Sequence, residues 1–286
     1  MTSEVHIRKM TQADIPTGMH LKEIAGWNQV EADWAGFLEI EPEGCFVAEV
    51  AGQVVATTTA IQYSDWCGWI GMVIVDPAFR GHGIATLLVK RGIDYLESRS
   101  CQCQKLDATD AGAKVYEKMG FLTEYRVERW RRDASLERNS EAAPLTVEPL
   151  TSDRLLTLAD LDRAAFGADR FKLLSWYCQS PAPRFLSLSG HGSGFVMGRP
   201  GSKALQMGPL VAENPAVARG LIRAFLEKAP HDPIIADVIP GHNEGPLLLE
   251  QFGFTRQRVL LRMYRGRNLS PGNVQQTFCL AGFEFG

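Results

Sequence analysis

The apolar positions of the first half of the chain change period several times, and each change marks an element. Alternation over Val5–Arg8 predicts a strand. Helical spacing follows from Ala13 to about Ala25 and again from Glu31 to Glu39. Cys45–Val50 and Val54–Gln62 flank Ala51-Gly52, which predicts a hairpin. Trp69–Val75 is a nearly unbroken apolar run, as a strand covered on both faces would be, and Asp76-Pro77 ends it. From Ile84 to Ser98 the polar residues Thr86, Lys90, Asp94 and Glu97 fall on one helical face and the remainder is mostly apolar. A short strand at Lys105–Ala108, a helix from Ala111 to Met119 closed by Gly120, and a strand at Thr123–Arg131 complete the half. This order, with a hairpin inside it, predicts an α/β layered domain on a mixed sheet rather than a doubly wound one.

The pattern then returns. Tyr116-Glu117-Lys118-Met119-Gly120-Phe121 is echoed by Leu249-Glu250-Gln251-Phe252-Gly253-Phe254, and Val5-His6-Ile7-Arg8-Lys9-Met10-Thr11 more faintly by Val147-Glu148-Pro149-Leu150-Thr151. The strand-turn-strand of Cys45–Ala56 has a counterpart at Arg184–Met197, turning through Gly190–Gly194, where a hairpin turn explains the glycines. One half-chain is built twice, and the second copy has drifted. Between the copies, Arg131 to Pro144 is polar and aperiodic and reads as a linker. The expected domains are therefore 1–133 and 146–286, joined by 134–145. The length of 286 residues suits two domains, each with its own core.

Composition removes several classes. Hydrophobic residues make up 45% and charged residues 22%, an ordinary globular mix. The net charge of −3 argues against a nucleic-acid protein. No apolar run is long enough to span a membrane and Met1–Met10 has no signal-peptide core, so a cytoplasmic location is expected. Of six cysteines only Cys101 and Cys103 are close, and the six histidines form no ligand motif, so free thiols and no metal site are expected.

The segment from Val73 to Thr86 carries the chemistry. A buried strand runs into a turn holding Gly81 and Gly83, and the turn runs directly into a helix. Glycines there let the backbone turn and let a ligand approach. The first helical amides lack internal partners and, with the helix dipole, form an anion site suited to a pyrophosphate. Thr86 offers a hydroxyl and Arg80 a charge at the rim. A dinucleotide fingerprint is the nearest rival reading. It wants a third small residue where Thr86 stands, and it follows a first strand rather than a fourth.

The run Arg80-Gly81-His82-Gly83-Ile84-Ala85 resembles the acyl-CoA loop of the GNAT superfamily of N-acetyltransferases. The apolar strand before it and the Tyr-Glu-Lys-Met-Gly-Phe element after it stand in that family's order across about Val5 to Arg132. The second half resembles a degenerate GNAT copy, as in tandem members of the superfamily. The resemblance implies acetyl-CoA as co-substrate, with Arg80, Gly81, His82, Gly83, Ile84, Ala85 and Thr86 holding the pyrophosphate. It implies that the main chain of Val73, Ile74 and Val75 pairs with the pantetheine arm, the N–H of Val73 stabilises the oxyanion, and Tyr116 is the general acid for the departing thiolate. The implied reaction is direct attack of an amine through a tetrahedral intermediate.

The acceptor is expected across the sheet from the cofactor, framed by Trp27, Asn28, Trp34, Asp65 and Trp66. Aromatic walls with a few polar groups suit a small ligand, and carboxylates suit a cationic amine. No general base is readable; Asp33, Asp65 and Asp107 are the candidates. Thr109 and Asp110 stand where the family often has asparagine. In the second half, Glu213-Asn214-Pro215-Ala216-Val217-Ala218 takes the loop position without glycines, and Leu249 stands opposite Tyr116, so one active site per chain is expected. The apolar stretch Phe278–Gly286 is expected to dock between the domains rather than fray, and to wall the acceptor pocket. Two other functions stay open: an acyl-CoA-binding regulator without turnover, and a transferase for longer acyl groups or a hydroxyl acceptor.

Overall fold

The computed structural model describes residues 4–134, 147–150, 152–179, 186–189, 193–229, 231–241, 243–269 and 272–286. The expected linker, apart from residue 134, and most of the turn through Gly190–Gly194 lie outside them. The chain forms two compact units. Unit 1 holds Met1–Glu124, Leu261–Leu269 and Phe285; unit 2 holds Tyr125–Leu260, Ser270–Glu284 and Gly286.

Unit 1 comprises β1 (Val5–Lys9), α1 (Ile15–Ile24), α2 (Glu31–Ile40), β2 (Cys45–Val50), β3 (Gln53–Gln62), β4 (Gly68–Val75), α3 (Ile84–Ser98), β5 (Cys103–Ala108) and α4 (Asp110–Glu117). The strands lie in the order β1-β2-β3-β4-β5, antiparallel except for the β4–β5 pair. Residues 261–266 then pair antiparallel with the outer edge of β5, from Leu261 opposite Ala108 to Gly266 opposite Cys103. The expected mixed α/β sheet and its element order are present.

Side-chain alternation assigns the faces. A Cβ on Gly92 of α3 would touch Ala60 and Ile70 at 3.5 and 3.7 Å, so these residues point at α3. Thr59, Ile61 and Trp69 therefore point to the opposite face. On that opposite face Arg262 lies over the Trp69 ring at 4.5 Å and grips Asp107 with two hydrogen bonds of 2.9 Å. Both partners are buried. The helix starts are secured from within: Asp14 accepts from the Thr11 N–H at 2.8 Å and Asp33 from the Val30 N–H at 2.7 Å. Phe285 stacks on Phe37 with ring centres 4.8 Å apart, and its carbonyl accepts from the Tyr63 hydroxyl at 2.8 Å.

Unit 2 repeats the plan with β6 (Leu122–Arg132, from Tyr125 onward), β7 (Glu148–Pro149), α5 (Ser152–Phe166), α6 (Phe171–Gln179), β8 (Leu186–Ser189), β9 (Gly194–Arg199), β10 (Leu205–Ala212), α7 (Pro215–Lys228), β11 (Ile234–Val238), α8 (Gly245–Gln251), β12 (Thr255–Gly266) and β13 (Thr277–Cys279). The last six residues of β12 are those placed in unit 1. The order is β7-β8-β9-β10-β11, closed by β6, whose Glu128–Arg132 segment runs antiparallel to β11. Asp237 on β11 is fully buried and accepts two 2.7 Å bonds from Arg129 of β6. Each sheet thus takes its closing strand from the other half of the sequence.

A fragment ending at residue 133 lacks the strand that covers β5, whose residues Cys103–Leu106 are buried. An unpaired edge of this kind invites aggregation. Residues 1–133 expressed alone should show no cooperative thermal transition, whereas the whole chain should. A soluble fragment that unfolds cooperatively by differential scanning calorimetry would contradict this role for residues 261–266.

Candidate active site

The site begins with a break in pairing. β4 and β5 pair only at Gly68 with Gln104 and Trp69 with Lys105. Beyond Trp69 the main-chain groups that β4 turns towards β5 meet no strand among the described residues. On the other side, the β3 register slips: Thr57 faces Ile74 and Thr59 faces Gly71, so Met72 and Val73 share the single place opposite Thr58. This is a β-bulge, and it puts Met72 at φ +51°, an unusual conformation for a residue with a side chain. Two buried hydroxyls hold it. Thr57 Oγ1 donates to the Met72 carbonyl at 2.8 Å and Thr58 Oγ1 to the Gly71 carbonyl at 3.2 Å. The sequence reading missed both threonines; the β-branched triplet Thr57-Thr58-Thr59 beside a glycine-bearing strand was the available signal.

β4 leads into the glycine turn. Gly81 and Gly83 have φ of +81° and +78°, and a Cβ on either would meet nothing within 4 Å. Gly83 is the N-cap of α3 and supplies no side chain to the helix start. The first-turn bond runs from the Leu87 N–H to the Gly83 carbonyl. Among the described residues no hydrogen bond reaches the amides of Gly81, His82, Gly83, Ile84, Ala85 or Thr86. Six amides therefore stand without an internal acceptor at the positive end of the helix dipole. Arg80 Nε donates to the Val75 carbonyl at 3.0 Å, tying the turn to the end of β4, and His82 Nδ1 lies 3.2 Å from the Phe79 carbonyl.

Tyr116 is on α4, which starts at Thr109, whose hydroxyl accepts from the Gly112 N–H at 3.2 Å. Its ring runs back beside Gly112, where a Cβ would lie 3.3 Å from it, and tilts against Phe121 at 6.0 Å. Tyr116, Val73 and Ala85 pack against the same core cluster beneath α3. The Tyr116 hydroxyl has no hydrogen-bond partner among the described residues. Burial pushes its phenol up to about 12, so the proton stays on through the neutral and mildly alkaline range.

The residues expected around the acceptor are placed unequally. Trp27 and Trp66 are half-buried, Asn28 is buried and Asp65 is exposed in the turn before β4. Trp34 is fully buried, against Gly18 and edge-on to Phe37. Its Nε1 and Thr59 Oγ1 are buried with no partner among the described residues. Of the candidate bases, Asp107 is locked to Arg262, Asp33 caps its own helix start and only Asp65 is open to solvent. An open groove of about 540 Å³ in unit 1 is lined by Arg8, Asp14, His20, Glu49 and Asp76 among others. Arg8 is bound there by Asp14 and Glu49, so the groove offers no free cation from that residue.

Unit 2 handles the same positions differently. Residues 213–218 are not an open loop. Asn214 caps α7, its side chain accepting from the amides of Ala216 and Val217 at 3.0 and 3.1 Å. Among the described residues no group of His, Cys, Asp and Glu could hold a metal, and no helix is long and apolar enough to cross a membrane.

Comparison with known proteins places both halves. Residues 14–121 match the acetyltransferase (GNAT) family model and residues 158–279 an acetyltransferase (GNAT) domain model. The chain is 27% identical to a holothin acyltransferase of Pseudoalteromonas sp. (strain SANK 73390) over 263 residues, 91% of this chain and 87% of that protein. It is 31% identical to an acetyltransferase of Yersinia enterocolitica over 127 residues, 42% of this chain and 89% of that protein. The fold is shared with a candidate acetyltransferase from Pyrococcus horikoshii, at TM-score 0.86 and 22% identity over 99% of this chain and 96% of that one. It is also shared with a tandem GNAT protein from the clavulanic acid biosynthesis pathway, at TM-score 0.66 and 13% identity over 92% and 98%.

The threonine clamp on the bulge is testable by stability. Thr57→Val keeps the shape but leaves the buried Met72 carbonyl without its donor, which costs about 1–3 kcal/mol. Thr57→Ser should recover most of the loss. Denaturant unfolding of the two variants reads the difference, and equal stabilities would show that the hydroxyl does not hold the bulge.

Proposed function

The chain belongs to the GNAT family of acetyltransferases, and we propose that it transfers the acetyl group of acetyl-CoA to a primary amine of a small molecule. What carries the reading is the conjunction, in one unit, of a splayed and bulged β4 with a helix start whose amides are all free. These features fit the cofactor. The main chain of Val73, Ile74 and Val75 would pair with the amides of the pantetheine arm as an added strand would. The amides of Gly81 to Thr86 would take the pyrophosphate, with Arg80 at the rim. Acetyl-CoA supplies the activated acyl group.

The chain's own residues do the rest. The Val73 N–H would donate to the thioester oxygen as charge builds there. Tyr116 gives its proton to the departing sulfur. Trp27, Asn28, Asp65 and Trp66 frame the acceptor over Trp34. The unpartnered Trp34 Nε1 and Thr59 Oγ1 support a polar ligand on that side. Because Asp33 and Asp107 are held by other groups, the amine's proton passes to Asp65 or to water. We read the first copy, residues 1–133, as catalytic and the second, 146–286, as degenerate.

Calorimetric titration with acetyl-CoA is the first test. Gly83→Glu should weaken binding at least about tenfold, or 1.4 kcal/mol, because it places a carboxylate at the anion site. Absence of binding by the unmutated chain would end the proposal. Tyr116→Phe should leave acetyl-CoA affinity unchanged and lower kcat about 100-fold in an amine screen. Binding without turnover on any amine would favour a regulatory acyl-CoA sensor. Since one relative is named an acyltransferase, longer acyl-CoA donors belong in the same screen.

A further inference from the structure

The second copy has kept the splayed cleft of the first and filled it. β10 has eight residues, as β4 has, and pairs with β11 only from Leu205 to Met207. It then slips register against β9 between Met207 and Leu210, as β4 slips against β3. Counting from the start of each strand, Leu210 and Val211 stand where Val73 and Ile74 stand in unit 1. There β10 pairs with β13: Leu210 faces Cys279 and Val211 faces Thr277. The next residue reaches the other wall, the Leu280 N–H donating to the Asp237 carbonyl of β11 at 2.7 Å.

We propose that residues 277–280 are a resident occupant of the unit 2 cleft, held as an extended amide-bearing chain where a pantetheine arm would lie, so that the second copy binds no acyl-CoA. Three further features are built for this occupant. Gly208 passes so close that a Cβ would sit 1.9 Å from the Leu280 carbonyl oxygen. Asn243, just before α8, donates to the carbonyls of Val274, Gln275 and Thr277 at 3.3, 3.2 and 2.8 Å, while its own oxygen accepts from the Gly245 N–H at 2.8 Å. Phe278 and Cys279 are buried in the same core cluster as Leu210, Ala236 and Leu248. The anion site is closed separately, since Asn214 consumes the α7 amides that α3 leaves free. A tethered occupant competes at a high effective concentration, so a ligand free in solution does not displace it. The placement of the segment stands on unit 2 alone; only the identity of the excluded ligand rests on the function proposed above.

Hydrogen exchange by mass spectrometry on the whole chain, with and without saturating acetyl-CoA, tests it beside calorimetric stoichiometry. The amides of 277–280 should be protected in both states, and titration should give one acetyl-CoA per chain. Asn243→Ala should speed exchange across 274–280 by at least about tenfold and leave the α3 segment and acetyl-CoA affinity unchanged. Gly208→Ala should expose the same segment by direct collision. Free exchange of 277–280 in the unliganded wild type, its exposure by acetyl-CoA, or two bound acetyl-CoA per chain would each overturn the proposal. If acetyl-CoA does not bind at all, the proposed function fails, and exchange in the unliganded chain still decides whether the cleft is filled.

Discussion

The structure depends on how a buried strand satisfies its main chain where its neighbour diverges. Buried N–H and C=O groups must be paired. The central strand of each copy pairs with the next strand for two or three residues and then leaves it. In unit 1 no strand among the described residues meets this edge; in unit 2 the chain closes it with three residues of its own. The bulge belongs to the same problem, because a register slip rotates the groups that face the opening. Met72 tolerates φ +51° because two buried hydroxyls take the carbonyls that the slip releases.

A copy without free amides at its helix start nevertheless supplies the closing strand of the other's sheet. Residues 261–266 close the sheet of unit 1, and Arg262 among them neutralises Asp107 and covers Trp69. Trp69 is the last β4 residue paired to β5, so this contact fixes the strand where the opening starts. Losing one partner of a buried ion pair costs several kcal/mol, because the other charge stays in low dielectric. The same dependence runs the other way through Arg129 and Asp237 in unit 2.

Local order was legible in the sequence and long-range pairing was not. Each element of the first half appeared where the hydrophobic period changed, because a strand with two covered faces and an amphipathic helix leave opposite signatures. The glycine turn was legible because only glycine takes φ near +80° at no cost. That β12 would serve both units was not, since periodicity identifies a strand without naming its partner. Asn214-Pro215 was read as a drifted loop, although asparagine followed by proline is a helix-start signature. The apolar ending was expected to dock, and Phe278, Phe283 and Phe285 are buried. That Thr277–Cys279 adds a strand was beyond reach, because three residues carry no period.

The acid–base arrangement of unit 1 follows from which charges are already committed. A carboxylate whose two oxygens are both gripped by a buried guanidinium is already committed to that ion pair. This removes Asp107. Asp33 is similarly held by the Val30 amide that it caps. The phenol of Tyr116 is the reverse case, a proton held tightly by burial with no internal acceptor among the described residues. The unit therefore holds a committed donor on the α3 side of the sheet and no free buried carboxylate among these three candidates. Under the function we propose, that asymmetry would suit an amine whose attacking nitrogen loses its proton late or to solvent, with Tyr116 holding the proton for the departing sulfur.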